Sequence, residues 1–227
     1  MNTEAADTLS TAPTPSKPST LQDVFGESGV LAAAFSGYQP RAGQLQMAEI
    51  IRDAITDSRT VVIEAGTGVG KTFGYLAPIL LAGRKAIVST GTKHLQDQIF
   101  SRDLPQIKKL MSSTTRTALL KGRSNYLCLH RLERAMTEGR LKSPDWVTAL
   151  HTIKGWSTRT RDGDIARCDA VSEEHGIWPL VTSTNENCLG KECPVFDECF
   201  VVKAREAAHE ADLVVINHHL FCADIAI

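Results

Sequence analysis

Nowhere in the 227 residues is there an apolar run approaching the ~18 that a membrane-spanning helix needs. The first residues also lack the basic-then-apolar order of a secretory signal, so a soluble, cytoplasmic protein with no membrane partner is expected. No charge dominates: Lys+Arg number 25 and Asp+Glu 26, a formal net charge of -1, and no global basic field announces nucleic acid. There is no internal repeat, and no C-x2-C knuckle of the kind that zinc ribbons usually pair. What remains is a chain with 42% hydrophobic and 22% charged residues, the balance of a globular protein rather than of a disordered chain, a collagen or a coiled coil. Its length can bury a real core, as one medium domain or two small ones.

The charge is unevenly spread. Residues 1–92 carry 7 basic and 8 acidic side chains, residues 93–142 carry 11 and 4, and residues 143–227 carry 7 and 14, so the middle is the basic part. Residues 1–20 are mostly Ser, Thr, Ala and Pro, with too little apolar surface to offset the entropy of ordering, and read as a flexible tail. From Leu21 onward, Val24, Phe25, Val30, Leu31 and Phe35 suggest a short helix, and Leu45, Met47, Ala48, Ile51 and Ile55 fall near one face of another. Residues 60–65 (TVVIEA) form a β-branched run that leads straight into glycines, the pattern of a buried strand feeding a loop. A helix over 71–81 follows, kinked or ended near Pro78, then a strand over 85–90, a helix over 94–100, and strands over 116–121 and 213–217. Strands alternating with helices imply a parallel sheet with right-handed crossovers. The long stretch between the last two strands breaks this rhythm, with helices over 126–137 and 145–156 and then a loop-rich, cysteine-containing run, and reads as an inserted module.

The segment Ala65-Gly66-Thr67-Gly68-Val69-Gly70-Lys71-Thr72 fits the phosphate-loop pattern apart from Ala65 at the usual first glycine. Backbone N–H groups freed by the glycines would surround a β-phosphate at a helix N-terminus. Lys71 would bridge the β- and γ-phosphates of ATP, and the Thr72 hydroxyl would hold Mg²⁺. The plain alternative is a ligand-free glycine turn, against which stand the Gly-Lys-Thr register and the strand-like run in front. Upstream, Tyr38, Arg41, Gln44 and Met47 recur at three-residue steps; Gln44 can bond an adenine edge and Arg41 can orient it or a phosphate, although such spacing also suits the first turns of any amphipathic helix.

Three stretches together resemble the XPD-like group of superfamily 2 DNA helicases, in its bacterial DinG/YoaA branch: Tyr38-Gln39-Pro40-Arg41 through Gln44; Glu64 through Thr72; and Ser89-Thr90-Gly91-Thr92-Lys93 with Leu95-Gln96-Asp97-Gln98. The resemblance runs from about Leu21 to Ile227. It implies an α/β fold, a RecA-like parallel sheet with flanking helices carrying an inserted cysteine-ligated iron–sulfur domain. It also implies that Thr90, Thr92 and Lys93 touch the backbone of single-stranded DNA, contacts that position without reading sequence. The basic excess over 93–142, with Lys108, Lys109, Arg116, Lys121, Arg123, Arg131 and Arg134, is what a phosphate-tracking groove needs, and Lys121 and Arg123 are taken as candidate contacts.

Cys188, Cys193 and Cys199 stand in a C-x4-C-x5-C run, compact enough for three thiolates to converge. The resemblance supplies Cys128 as the fourth, in Gly122-Arg123-Ser124-Asn125-Tyr126-Leu127-Cys128; Cys168 is nearer in sequence and competes for the place, and Cys222 follows the last strand. Four thiolates suit a [4Fe–4S] cluster or tetrahedral zinc, and the resemblance points to the cluster. His218 and His219 are not taken as ligands.

The expected layout is a tail over 1–20, a RecA-like helicase domain over 21–125, an iron–sulfur domain over 126–200, and a return to the RecA-like domain over 201–227. Hydrolysis of ATP needs a carboxylate pair at the end of a neighbouring strand, and the candidate strands end in Thr90, Lys121-Gly122 and Asn217. The resemblance places an Asp-Glu-Ala-His box beyond the matching segment and implies a 5′-to-3′ ATP-dependent DNA helicase of repair or replication, so the chain reads as the N-terminal part of one, binding single-stranded and forked DNA but not itself turning over ATP. The other reading is a non-catalytic, redox-sensitive module or regulator that binds single-stranded DNA.

Overall fold

A computed structural model describes residues 17–138, 141 and 143–225. The tail expected over 1–20 lies outside the described residues as far as residue 16, and its last residues instead start a helix. Thr20 Oγ1 accepts the Asp23 N–H at 3.1 Å, while the Asp23 carboxylate accepts the N–H groups of Thr20 and Ser19 at 2.8 and 2.9 Å. This capping box opens α1 (Leu21–Phe25).

The chain forms two compact units, Met1–Leu81 with Ile107–Ser113, and Ala82–Gln106 with Thr114–Ile227. In the first, α1 packs against α2 (Val30–Ala34) and α3 (Ala42–Asp57) around buried Val24, Phe25, Leu31 and Ala48. α3 stops where Ser58 takes a left-handed φ of 53° and returns its N–H to the Ala54 carbonyl. α4 (Lys71–Ala82) runs through Pro78 rather than ending there; the ring removes one N–H donor, and the remaining helix bonds carry the chain four residues further.

Residues 60–65 correct one expectation. They are not a buried strand: no strand is formed there, and Val62 is 94% exposed. β-branched residues favour a pleated, half-buried surface, but a strand forms only beside a backbone that completes its ladder, and the run of residue types does not reveal that neighbour.

The second unit holds β1 (Ala86–Thr90), β2 (Thr117–Leu120) and β3 (Leu213–Asn217), all parallel, in the order β1-β3-β2. The registers pair Ala86 with Leu213 and Thr90 with Asn217 on one side of β3, and Thr117 with Leu213 and Leu120 with Ile216 on the other. The last strand in sequence is thus the central one, and Leu213 and Val215 are fully buried. α5 (Lys93–Gln98) continues through a π-helical turn, Ile99–Asp103, into α6 (Leu104–Leu110), well past the expected end at 100. Between β2 and β3 lie α7 (Leu129–Glu138), α8 (Pro144–Ser157), α9 (Trp178–Val181) and α10 (Phe200–Glu210), and α11 (His218–Ile225) follows β3. This intervening stretch has its own core, in which Leu127, Leu132, Ile153, Ile177 and Val181 are buried together. The whole is an α/β fold with a small parallel sheet, consistent with the RecA-like expectation.

Candidate functional site

The glycine loop lies in the first unit and leads directly into α4 at Lys71, so its N–H groups gather at a helix N-terminus. Gly68 and Gly70 stand at φ of 80° and 87°, a region that residues with a Cβ enter only under strain. At Gly70 a Cβ would also come within 2.2 Å of Gln44 Nε2. Three side chains named from the sequence meet on this loop. Gln44, buried, donates from Nε2 to the Gly70 carbonyl at 2.8 Å. Arg41 Nη1 donates to the Gly68 carbonyl, and Lys71 Nζ donates to the carbonyls of Ala65 and Gly66 at 2.9 and 2.8 Å. Arg41 and Gln44 thus anchor the carbonyl side of the loop. Thr67 is exposed, and Val69 and Thr72 are half-buried beside them.

In the second unit, β1 delivers a turn at its C-terminal end. Thr90 is buried and its hydroxyl donates to the Thr92 carbonyl at 3.1 Å, so Thr90 shapes the turn. Thr92 is exposed and caps α5, its Oγ1 accepting the Leu95 N–H at 3.2 Å, which leaves its own hydroxyl proton for a partner. Lys93 is 58% exposed, 3.5 Å from Glu173. Lys121 corrects a second expectation: its side chain is 3% exposed and its ammonium lies 2.7 Å from Asp97 Oδ1 and 2.7 Å from Asp164 Oδ2, so no phosphate can meet it. Arg123 is engaged with Asn185 Oδ1 at 3.2 Å and with Cys188 Sγ at 3.2 Å. Nothing in the spacing of these cations distinguishes a buried one from an exposed one; Asp97 and Asp164 are functional neighbours that sequence reasoning did not single out as such.

Four cysteines line one cavity of about 310 Å³: Cys128, Cys188, Cys193 and Cys199. Cys168 is buried elsewhere, in the core of the intervening stretch, and Cys222 is exposed. Cys128 is fixed by its backbone, the N–H bonding Val181 O at 2.8 Å and the carbonyl accepting the Leu132 N–H at 2.9 Å as α7 begins. Burial pushes the Cys128 thiol up; the N–H groups of Arg131 and His130 pull it down, and neighbouring Cys199 and Cys193 push it further up. Cys188 Sγ accepts the Gly190 N–H at 3.4 Å as well as Arg123. Arg131, on the cavity wall, has a buried Nε without a hydrogen-bond partner, and Lys191 and Arg205 line the same wall. Four sulfurs with Arg123, Arg131, Lys191 and Arg205 around them, and the one carboxylate of Glu206, are a donor set whose chemistry suits a thiolate-held, negatively charged centre. Among the described residues, no group of three or more Cys, His, Asp or Glu side chains is placed to hold a metal ion.

A glycine loop opening a helix and a small parallel sheet are features shared by phosphate-loop proteins of many kinds, and residues 43–152 match the model of the DEAD/DEAH box helicase family. The ATP-dependent DNA helicase YoaA of Escherichia coli is 51% identical over 207 residues, covering 91% of this chain and 32% of the relative. YoaA of Haemophilus influenzae is 49% identical over the same shares, and the ATP-dependent helicase DinG of Mycobacterium tuberculosis is 35% identical over 86% of this chain and 32% of its own length. Over most of its length the chain is similar to the DinG/YoaA-type helicases. It spans about a third of the length of the curated relatives it matches.

Proposed function

We propose that the chain supplies the ATP-binding loop, a single-strand contact and a [4Fe–4S] domain to a 5′-to-3′ ATP-dependent DNA helicase that works on single-stranded and forked DNA in repair or replication. Residues 21–125 and 201–227 belong to its first RecA-like motor domain and residues 126–200 to the inserted cluster domain, with Cys128, Cys188, Cys193 and Cys199 as ligands. The observation that carries this reading is that four cysteines from two separate stretches of sequence line one cavity; a phosphate loop alone does not account for them. The polarity and the pathway rest on the family likeness.

In this reading the Lys71 ammonium exchanges the Ala65 and Gly66 carbonyls for β- and γ-phosphate oxygens, and the Thr72 hydroxyl holds Mg²⁺. Thr92 and Lys93 contact the DNA backbone. When bound, the cluster supplies a rigid four-thiolate crosslink between the start of α7 and the loop ahead of α10. None of the described strands ends in an Asp-Glu pair, since β1, β2 and β3 end in Thr90, Leu120 and Asn217, which supports the reading of a chain that binds nucleotide without itself turning it over.

The test is the iron, acid-labile sulfide and zinc content of anaerobically purified protein, with Cys128→Ala, Cys199→Ala and Cys168→Ala beside it. About four irons and four sulfides per chain, lost in the first two variants and kept in the third, is the expected result. Zinc alone, or a folded chain with no metal, would sink the cluster domain.

A further inference from the structure

Lys121 joins three parts of the second unit. It follows β2 directly, and its ammonium bridges Asp97 on α5 and Asp164 in the stretch beyond α8, at 2.7 Å each. The Asp164 side chain is 4% exposed and the Asp97 side chain 38%, so one carboxylate is enclosed and the other half open. Burial alone would depress the ammonium, but its hydrogen bonds to Asp164 and Asp97 outweigh that and hold it above its ordinary value; Lys121 stays a cation.

Each carboxylate commits a different piece of structure. On the α5 side, Gln96 is fully buried next to Asp97 and donates from Nε2 to the carbonyls of Leu120 at 2.8 Å and Val215 at 3.3 Å, which clamps the helix onto the end of β2 and the middle of β3. The exposed Thr92 and Lys93 begin that same helix. On the other side, Asp164 forms an antiparallel bridge with Tyr126, and its Oδ1 accepts the Ala166 N–H at 3.2 Å. Tyr126 closes the circuit, its hydroxyl accepting the Lys121 N–H at 3.0 Å. Beyond it the Leu127 N–H bonds Gly163 O at 2.8 Å and the Cys128 N–H bonds Val181 O at 2.8 Å. From the turn at Thr92 to Cys128, the polar path runs through Lys121 by both its ammonium and its backbone.

We propose that Lys121 is a positioning residue that ties α5, with the exposed turn at its start, to residues 126–128, so that an engagement of the turn is felt at Cys128. The DNA side of this linkage rests on the function proposed above; the linkage itself does not.

Hydrogen–deuterium exchange on the whole chain separates the two. Asp97→Asn keeps the shape of the open carboxylate, removes its charge and leaves Lys121 on Asp164. Exchange at Tyr126, Leu127 and Cys128 should rise about threefold or more as local opening becomes easier, with α8 unchanged as the internal control and Asp97→Glu returning the rates toward those of the unaltered chain. Faster exchange confined to α5, with residues 126–128 unmoved, would overturn the linkage. In a second arm, oligothymidylate should slow exchange at 126–128 in the unaltered chain and fail to do so in Asp97→Asn although both bind it; equal protection in the two would also overturn it. If the unaltered chain does not bind oligothymidylate, the DNA reading falls, and the first arm still decides the linkage.

Discussion

Lys93, Lys121 and Arg123 carry the same charge and meet three different environments. Lys93 stands in solvent beside Glu173, Lys121 is enclosed by two carboxylates, and Arg123 rests on a cysteine sulfur. The exposed Lys93 can exchange its partner for a phosphate, so Lys93→Ala should lessen the salt dependence of single-strand binding by about 0.7 in the log–log slope, read from fluorescence titrations over a salt series. The loop offers a sharper residue-scale case. Gly70→Ala puts a Cβ into a left-handed backbone and against Gln44 Nε2, and strain of about 1–2 kcal/mol adds to the lost Gln44 anchor. Affinity for MgATP by calorimetry should fall by about tenfold or more. The residue types of both sites were legible in the sequence, because Gly-Lys-Thr and clustered cysteines are local patterns. Exposure was not, because it is decided by Asp97 and Asp164, which stand 24 residues before and 43 residues after the lysine they enclose.

Among elements, the strands at 86–90, 117–120 and 213–217 were readable from short apolar runs within a residue or so of their ends. Their order was not, since the central place of β3 depends on a chain that leaves the sheet after β2 and returns through α10. The π-helical turn at Ile99–Asp103 has no local signature either; one extra residue per turn is accommodated by packing. The start of β3 shows how the returning chain is seated. The N–H groups of Asp212 and Leu213 both bond the Arg116 carbonyl, at 2.9 and 3.0 Å, and the Asp212 carboxylate accepts the Arg116 N–H at 2.9 Å and meets its guanidinium at 3.2 Å. These bonds, the Arg116 side chain first, hold the Asp212 carboxyl below its ordinary 3.8. A depressed folded-state value contributes stability that is present above 3.8 and lost as pH falls through the lower one. Asp212→Asn should therefore unfold at lower urea than the unaltered chain at pH 7, and the two should converge well below pH 3.8.

For the molecule as a whole, two compact units and a separate core between β2 and β3 are the main features. A break in the strand–helix rhythm announced that core; the division into units did not show in composition, because residues 107–113 leave one unit to join the other. Residues 60–65 also act at this scale. Val62 is almost wholly in water, and the run around it is β-branched with one charge, the make-up of a segment that adds to another backbone as a strand. Copies of this chain held at high concentration should find one another there, giving scattering that grows with protein rather than with time alone. Val62→Lys, which puts a gatekeeping charge on that segment, should raise the concentration at which dynamic light scattering first detects larger species. On that expectation, the concentration at which copies of the chain associate depends on a short run whose Val62 the folded core leaves outside.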